Sequence, residues 1–225
     1  APVPEIHDKI TGTAGSWNKA VENMNLMLKE GINITPGIVL SPLNYQYAKE
    51  TVTFFFRSGI SSIMVTRYNI GGEGLKQTGL PANVGHRNGA LGQLDRFAGE
   101  CPVRIFSGVC TPHCLLNPDD YENIRFGNCS ANPYQRPLTF DPEGNVRLCN
   151  HSPVIAGNIY EQSPDEIFKD NSYLRKWEDL DISFCRNCVR LEKCKGGCRA
   201  ASEQAGLSLK DVDPIVGMLE IAPFV

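Results

Sequence analysis

Apolar residues in the first half of the chain recur with helical and strand periods in turn. Trp17, Val21, Met24 and Leu28 share one helix face, which predicts a helix with Ser16 as its N-cap and a stop at Gly31. The pattern predicts further elements in this order: a strand at 34–40, a helix at 45–58, a strand at 61–66, a helix at 88–99 and a strand at 103–107. Alternating strands and helices with short connections predict parallel strands. Three such units are too few to close an eight-stranded barrel, so residues 1–108 are predicted to form an α/β partial barrel or a small open sheet.

The pattern changes at Cys110, where cysteines and prolines replace the helix–strand rhythm. Two short apolar runs, 138–140 and 146–148, flank the turn sequence 141–144 and predict a β-hairpin. Ser163 begins a helix that is predicted to continue to Trp177. We therefore expect two domains, 1–108 and a small cysteine-rich α+β domain at 109–225.

Composition narrows the class of protein. The 225 residues carry a net charge of −3, which argues against a nucleic-acid-binding surface, and no apolar run reaches the length of a membrane span. All nine cysteines lie after residue 100: Cys101, Cys110, Cys114, Cys129, Cys149, Cys185, Cys188, Cys194 and Cys198. Their odd number, their crowding and the lack of a secretory signal favour metal-bound thiolates in a reducing cytoplasm over a disulfide scaffold.

The densest motif is Cys185-x2-Cys188-x5-Cys194-x3-Cys198. Zinc sites often use two separate cysteine pairs, and the five residues between Cys188 and Cys194 are few for that arrangement. Iron–sulfur clusters accept such tight runs. A further pair, Cys129 and Cys149, brackets the predicted hairpin and could supply two more ligands to one site.

The full pattern, C-x14-G-x4-C followed after a gap by C-x2-C-x5-C-x3-C, resembles the SPASM domain. That domain is the C-terminal extension of radical S-adenosylmethionine enzymes that modify peptides and proteins. The sequence from His7 to Gly12 with the helix start after it resembles the middle of the barrel in these enzymes, and the strand that ends at Leu40 and leads to Asn44 resembles the fifth strand of that barrel.

The resemblance implies two auxiliary 4Fe–4S clusters. The first would be bound by Cys114, Cys129, Cys149 and Cys198, with Cys114 preferred over Cys110. The second would be bound by Cys185, Cys188 and Cys194, but Val216 stands where the family has a fourth cysteine. An open iron site, a substitute ligand such as Asp213 or Cys110, and the absence of a second cluster are the three alternatives.

The family's catalytic C-x3-C-x2-C motif does not occur in the chain. We therefore expect the C-terminal part of a larger enzyme, inactive alone, with S-adenosylmethionine and a catalytic 4Fe–4S cluster bound only in the full-length enzyme. The missing N-terminal half of the barrel and an electron donor such as a flavodoxin or ferredoxin are the implied partners. No catalytic residue is identified, and Arg67 and Asn44 are candidates for the cofactor or substrate side.

A peptide or protein is the expected substrate. Asn150 follows Cys149 where sulfatase-maturing relatives have a basic aspartate, which argues against that activity. Two other functions stay open: a non-catalytic module that binds zinc or a cluster, and a radical enzyme that acts on a small molecule. His113 and His151 are expected to be exposed rather than ligands, and Arg199 to be either a surface residue or a counter-charge for a cluster.

Overall fold

The computed structural model describes residues 1–77, 79, 81–130, 138–169, 171–179 and 181–219. These residues form two compact units. The first unit comprises Ala1–Tyr68, Gly79–Val109 and Asn117–Gly127, and the second comprises Asn69–Thr78, Cys110–Leu116 and Asn128–Val225. The predicted domain boundary near residue 109 stays a prediction. Among the described residues, no helix has both the length and the apolar character needed to cross a membrane.

The first unit contains a sheet of four parallel strands in the order β1-β2-β3-β4, which confirms the predicted α/β class. The strands are β1 Gly37–Leu40, β2 Ser62–Arg67, β3 Arg104–Ser107 and β4 Ile124–Phe126. The helices are α1 Pro4–Thr11, α2 Ser16–Lys29, α3 Ala48–Arg57 and α4 Val84–Glu100, with a 3-10 turn at Tyr45–Tyr47 before α3. The core between sheet and helices is formed by fully buried aliphatic side chains, including Val52, Ile63, Leu94 and Ile105.

The start of α2 differs from the prediction, because its N-cap is Gly15, in the left-handed conformation, and not Ser16. The carboxylate of Asp8 accepts the backbone N–H groups of Gly15 and Trp17 and the hydroxyl of Ser16, at 2.6–2.9 Å. The hydrogen bond from Trp17 is the main reason why the pKa of Asp8 is lowered. A side chain of α1 thus supplies the cap for α2.

Strand β4 was not predicted, since it has only three residues with a charged one in the middle. It pairs with β3 in the register Ile105↔Ile124. The Asp95 carboxylate on α4 accepts the backbone N–H groups of Glu122, Asn123 and Ile124 at 3.3, 2.7 and 3.1 Å. The position of β4 is therefore fixed by a contact between residues far apart in sequence.

The second unit contains a three-stranded antiparallel sheet of β5 Thr139–Phe140, β6 Asn145–Arg147 and β7 Gly157–Asn158. The predicted hairpin is confirmed, with Gly144 at φ +80° in the turn between β5 and β6. The remaining helices are α5 Pro164–Phe168, α6 Ser172–Glu178, α7 Leu191–Cys194, α8 Arg199–Gln204 and α9 Ile215–Met218. Among the described residues, three more 3-10 turns lie at Gly72–Lys76, Pro118–Asp120 and Ser183–Cys185, the second of them in the first unit.

The single helix predicted from Ser163 to Trp177 is wrong, because α5 and α6 are separate helices. Ser163 and Glu166 form a capping box at the start of α5, as the sequence indicated, but the chain leaves the helix at Lys169 in an extended conformation. Asn171 then acts as a second N-cap by accepting the N–H groups of Tyr173 and Leu174. Its amide also donates to the carbonyls of Ala156 and Ile167, which holds the break in place.

Replacing Asp95 by alanine should destabilise the first unit, since three backbone N–H groups at the start of β4 lose a charged acceptor. We expect a loss of about 1–2 kcal/mol in the free energy of unfolding, measured by urea denaturation. The control Glu100→Ala removes an exposed carboxylate from the same helix and should change stability by less than about 0.5 kcal/mol. Equal effects of the two variants would contradict this role of Asp95.

Candidate metal centre

All nine cysteines are thiols in this structure, so no disulfide links the elements of the second unit. Seven of them, the predicted cluster ligands, belong to that unit: Cys114, Cys129, Cys149, Cys185, Cys188, Cys194 and Cys198. They fall into two groups that different elements position. Among the described residues, no three His, Cys, Asp or Glu side chains are placed to hold a metal ion. A cubic cluster takes its ligands at separate corners, so its thiolates stand further apart than those around one ion.

The first group lines one small cavity and consists of Cys114, Cys185, Cys188 and Cys194. The 3-10 turn Ser183–Cys185 carries Cys185 and helix α7 carries Cys194, with Cys188 in the segment between them, and Cys114 comes from the segment before β4. The rest of the wall is mainly apolar: Pro112, Phe184, Leu191 and Val212, with His113 and Gly196. Four thiols in an apolar wall form a donor set that fits a cluster ligated by four cysteines.

Backbone N–H groups point at the sulfur of Cys194. The N–H of His113 donates to Cys194 Sγ at 3.2 Å, and the N–H groups of Gly196 and Gly197 also approach this sulfur. Both glycines have positive φ values, +76° and +86°. A Cβ on Gly197 would lie 2.5 Å from Pro112, so the turn after α7 can pack against the Cys114 segment only with glycine at this position.

Three of the four thiols of this cavity have a raised pKa. Burial raises the pKa of Cys114 to about 11 and that of Cys185 to about 12, and the neighbouring thiols, Cys194 first, add to both shifts. Burial likewise raises the pKa of Cys194, although the backbone N–H groups oppose the shift. A metal must therefore displace protons from these groups when it binds, which couples metal affinity to pH.

The second group, Cys129, Cys149 and Cys198, packs against a single apolar cluster. All three are partly buried against a core of Leu148, Leu174, Trp177, Ala200 and Leu209. Cys149 follows the strand β6 of the hairpin and Cys198 is the N-cap of α8. The chain between Cys129 and the hairpin, at 131–137, lies outside the described residues.

Cys114 therefore lies in a different place from the one that the sequence suggested. The resemblance assigned it to the group of Cys129, Cys149 and Cys198, but the structure places it at the cavity of Cys185, Cys188 and Cys194. The physical reason is the hydrogen bond from His113 to Cys194, between residues 81 positions apart, which ties the Cys114 segment to α7. The ligand role of each cysteine stays a prediction.

Arg199 is fully buried and holds the end of α6. Its guanidinium donates to the carbonyls of Leu209, Trp177, Lys176 and Asp179 and lies 5.6 Å from the centre of the Trp177 ring. The expectation of a surface arginine is wrong. Burial lowers the pKa of Arg199, and the nearby Cys129 thiol opposes that shift, so the positive charge lies next to the second cysteine group.

The glycine-rich segment 69–77 contacts the second cysteine group, that of Cys129, Cys149 and Cys198. Asn69 Nδ2 donates to Cys198 Sγ at 3.5 Å, and the carbonyl of Ile70 lies 2.6 Å from His151 Nε2. Gln204 accepts the N–H of Gly72 and donates to the carbonyl of His151. These hydrogen bonds fasten the segment beside Cys198.

Both histidines beside the cysteines differ from the expectation. His113 is buried, with 6% of its surface exposed, and His151 is half-buried against Ile70. A Cβ on Gly71 would lie 2.3 Å from the His151 ring, so glycine is required for this contact. Sequence reasoning missed Asn69 and Gln204, since nothing in their local sequence indicates that Asn69 contacts Cys198 or that Gln204 contacts Gly72 and His151.

Arg67 and Asn44 lie at the carboxyl edge of the sheet, where Leu40 and Arg67 are paired across β1 and β2. The Asn44 side chain accepts from the N–H of Ser41 and donates to the carbonyl of Val39, so it closes the turn after β1. Arg67 is buried and donates to the carbonyl of Tyr68. Their assignment to the cofactor or substrate side stays a prediction.

Comparison with known proteins agrees with the cysteine pattern. Residues 133–189 match the SPASM family model, described as an iron–sulfur cluster-binding domain. The resemblance to SPASM is thereby confirmed, and this part of the chain is a domain of the kind that binds auxiliary iron–sulfur clusters.

Curated relatives extend the similarity beyond that domain. The mycofactocin maturase MftC of Mycobacterium tuberculosis (strain CDC 1551 / Oshkosh) is 26% identical over 216 residues, which are 93% of this chain and 54% of the relative. MftC of Mycobacterium ulcerans (strain Agy99) is 33% identical over 79 residues, which are 33% of this chain and 21% of that protein. The chain thus spans about half the length of the Mycobacterium tuberculosis relative.

A solved structure shares the fold. The crystal structure of Streptococcus suis SuiB bound to S-adenosylmethionine superposes with a TM-score of 0.62 at 12% identity, covering 89% of this chain and 48% of SuiB. At this identity the similarity shows the fold alone. It agrees with a partial parallel barrel followed by a SPASM domain.

Replacing Asn69 by leucine should lower the reduction potential of a cluster that contains Cys198, because the sulfur loses a hydrogen-bond donor. A shift of about 20–60 mV corresponds to one hydrogen bond. Protein-film voltammetry or an EPR-monitored redox titration would measure it. The control Glu73→Gln, whose carboxylate pairs with exposed Lys76 in the same loop, should leave the potential unchanged. An unshifted potential in Asn69→Leu would contradict the contact.

Replacing Arg199 by lysine should destabilise the second unit by about 2–4 kcal/mol, since lysine keeps the charge but cannot reach four carbonyls at once. Guanidinium denaturation followed by Trp177 fluorescence would measure the change. Arg186→Lys, at an exposed ion pair 3.7 Å from Asp181, is the control and should cost less than about 1 kcal/mol. If Arg199→Lys left the free energy of unfolding unchanged, the positive charge alone would be sufficient at this position.

Proposed function

We propose that the chain is the C-terminal portion of a radical S-adenosylmethionine maturase that modifies a peptide or protein. The observation that carries the proposal is the pair of cysteine groups in the second unit, together with the SPASM match at 133–189. The similarity to the mycofactocin maturase over 93% of the chain supports the maturase class and a peptide substrate.

The two cysteine groups hold the auxiliary 4Fe–4S clusters in this proposal. Their residues have the required chemistry, because thiolates are the usual ligands of such clusters. The apolar wall of Phe184, Leu191 and Val212 excludes water from one group. Arg199 places a positive charge near the other group, which favours bound anionic thiolates there. The clusters would bind the substrate or transfer an electron during its modification.

Radical formation belongs to parts of the enzyme that precede this chain. S-adenosylmethionine, bound at a catalytic 4Fe–4S cluster, supplies the radical in enzymes of this class, and the chain alone would be inactive. Arg67 and Asn44 would lie on the cofactor or substrate side. A reducing cytoplasm and an electron donor such as a flavodoxin or ferredoxin complete the proposal, in keeping with nine cysteines that are all thiols.

An N-terminal half of the barrel would pair with β1. This strand lies at the end of the strand order, has β2 as its neighbour and exposes 48% of Val39. Beside it lies a cleft of about 450 Å³, lined largely by apolar residues of α2, β1 and α3, such as Trp17 and Phe54. An open strand edge with an apolar flank is the surface that a preceding strand and helix would cover.

Anaerobic reconstitution with iron and sulfide tests the proposal. The chain should bind iron and acid-labile sulfide in equal amounts and become brown, and Cys198→Ala should lose about half of both. Cys101→Ala, at the end of α4 in the first unit, is the control and should keep the full content. Stoichiometric zinc without sulfide would instead support a non-catalytic module, and full iron content in Cys198→Ala would contradict the cluster assignment.

A further inference from the structure

From the cavity geometry we infer that Cys114 is the fourth ligand of the second auxiliary cluster, together with Cys185, Cys188 and Cys194. This inference rests on the proposed function, since it assumes that clusters bind at the cysteine groups. It differs from the pattern of the resembling family, which places the fourth cysteine after the tight motif. Here a residue from the segment before β4 replaces it.

The position where the family has its cysteine is not at the cavity. Val216 is buried in α9, and the residue of that stretch that lines the cavity is Val212. Asp213 is engaged elsewhere, because one carboxylate oxygen accepts the N–H of Cys198 and the other accepts the N–H of Ile215. The stretch after Cys198 therefore closes the wall with an apolar side chain and uses its carboxylate to cap α8.

The Cys114 segment is fixed against α7 on both sides of the thiol. His113 N–H donates to Cys194 Sγ at 3.2 Å, and Pro112 packs over Gly197, where a Cβ would clash. On the other side, Leu115 and Leu116 are fully buried and return their N–H groups to the carbonyl of Pro112 at 2.9 and 3.2 Å. These contacts hold the Cys114 side chain at the cavity independently of any metal.

The geometry of the cavity agrees with this ligand set. The Cys114 side chain lines the same cavity wall as Cys185, Cys188 and Cys194. Three N–H groups that point at Cys194 supply the hydrogen bonds that cluster sulfurs usually accept. The cavity thus offers four thiolates, oriented donors and an apolar wall.

A consequence follows for the first auxiliary cluster. If Cys114 belongs to the cavity, the group of Cys129, Cys149 and Cys198 contains three assigned thiolates. The cluster with a position left for another ligand is then the one beside Arg199 and Asn69, and not the one that the sequence indicated. An iron without a cysteine ligand can bind substrate directly, so the substrate would meet the cluster of this group.

The test assigns Cys114 to one group by removing each cluster separately. In a Cys149→Ala background only the second cluster remains, and adding Cys114→Ala should lower iron and sulfide by at least about twofold or leave a three-iron cluster visible by EPR after oxidation. In a Cys188→Ala background only the first auxiliary cluster remains, the one at Cys129, Cys149 and Cys198. Adding Cys114→Ala should leave its iron and sulfide content unchanged. The reverse pattern would overturn the inference and return Cys114 to the group of Cys129, Cys149 and Cys198.

Two further variants keep the test decisive. Cys110→Ala, four residues before Cys114 in the same segment, should leave the iron and sulfide content of both backgrounds unchanged. A loss of cluster in the Cys110→Ala variant would make Cys110 the ligand and overturn the inference. Cys114→Ser keeps the size of the side chain and offers an oxygen ligand, so it should alter the EPR signal in the Cys149→Ala background alone, even if the alanine variant misfolds.

Absence of iron and sulfide from the unaltered chain would contradict the proposed function itself. An unaltered chain that binds clusters, together with a reversed pattern in the variants, would contradict only the ligand assignment.

Discussion

The constraint on which the second unit depends is the placement of four cysteine side chains around one apolar cavity. Burial raises the pKa of Cys114 and Cys185, and Cys194 is buried with them around an apolar cavity. The strands and helices described in this unit have two to seven residues each, so they contribute little stability of their own. Metal bound by the thiolates would link these short elements, and its binding would contribute part of the free energy of folding.

The rest of the unit orients the thiols before any metal arrives. Arg199 closes the end of α6 with four carbonyls, and Trp177 packs against its guanidinium. Asn69 and His151 fasten the glycine-rich segment beside Cys198. Each contact joins residues distant in sequence, so the second cysteine group is held by tertiary hydrogen bonds and packing. The first group combines the local turns around α7 with the long-range hydrogen bond from His113 to Cys194.

Much of the fold could be predicted because its signals are local. The periodicity of α2, the turn at Gly144 and the tight motif from Cys185 to Cys198 all depend on neighbouring residues. Strand β4 and the place of Cys114 could not be predicted, since each is fixed by a distant group, Asp95 for β4 and α7 for Cys114. The break between α5 and α6 was missed because Asn171 caps the second helix inside a run that otherwise resembles one helix.

We propose that two separate cysteine groups bind iron–sulfur clusters and that Cys114 is a ligand in the group at α7. Crystals grown without oxygen, with diffraction data recorded on both sides of the iron absorption edge, test it most directly. We expect iron in the cavity of Cys114, Cys185, Cys188 and Cys194, and a second iron site beside Cys129, Cys149 and Cys198. Iron absent from the cavity, or a Cys114 sulfur bound at the other site, would contradict it.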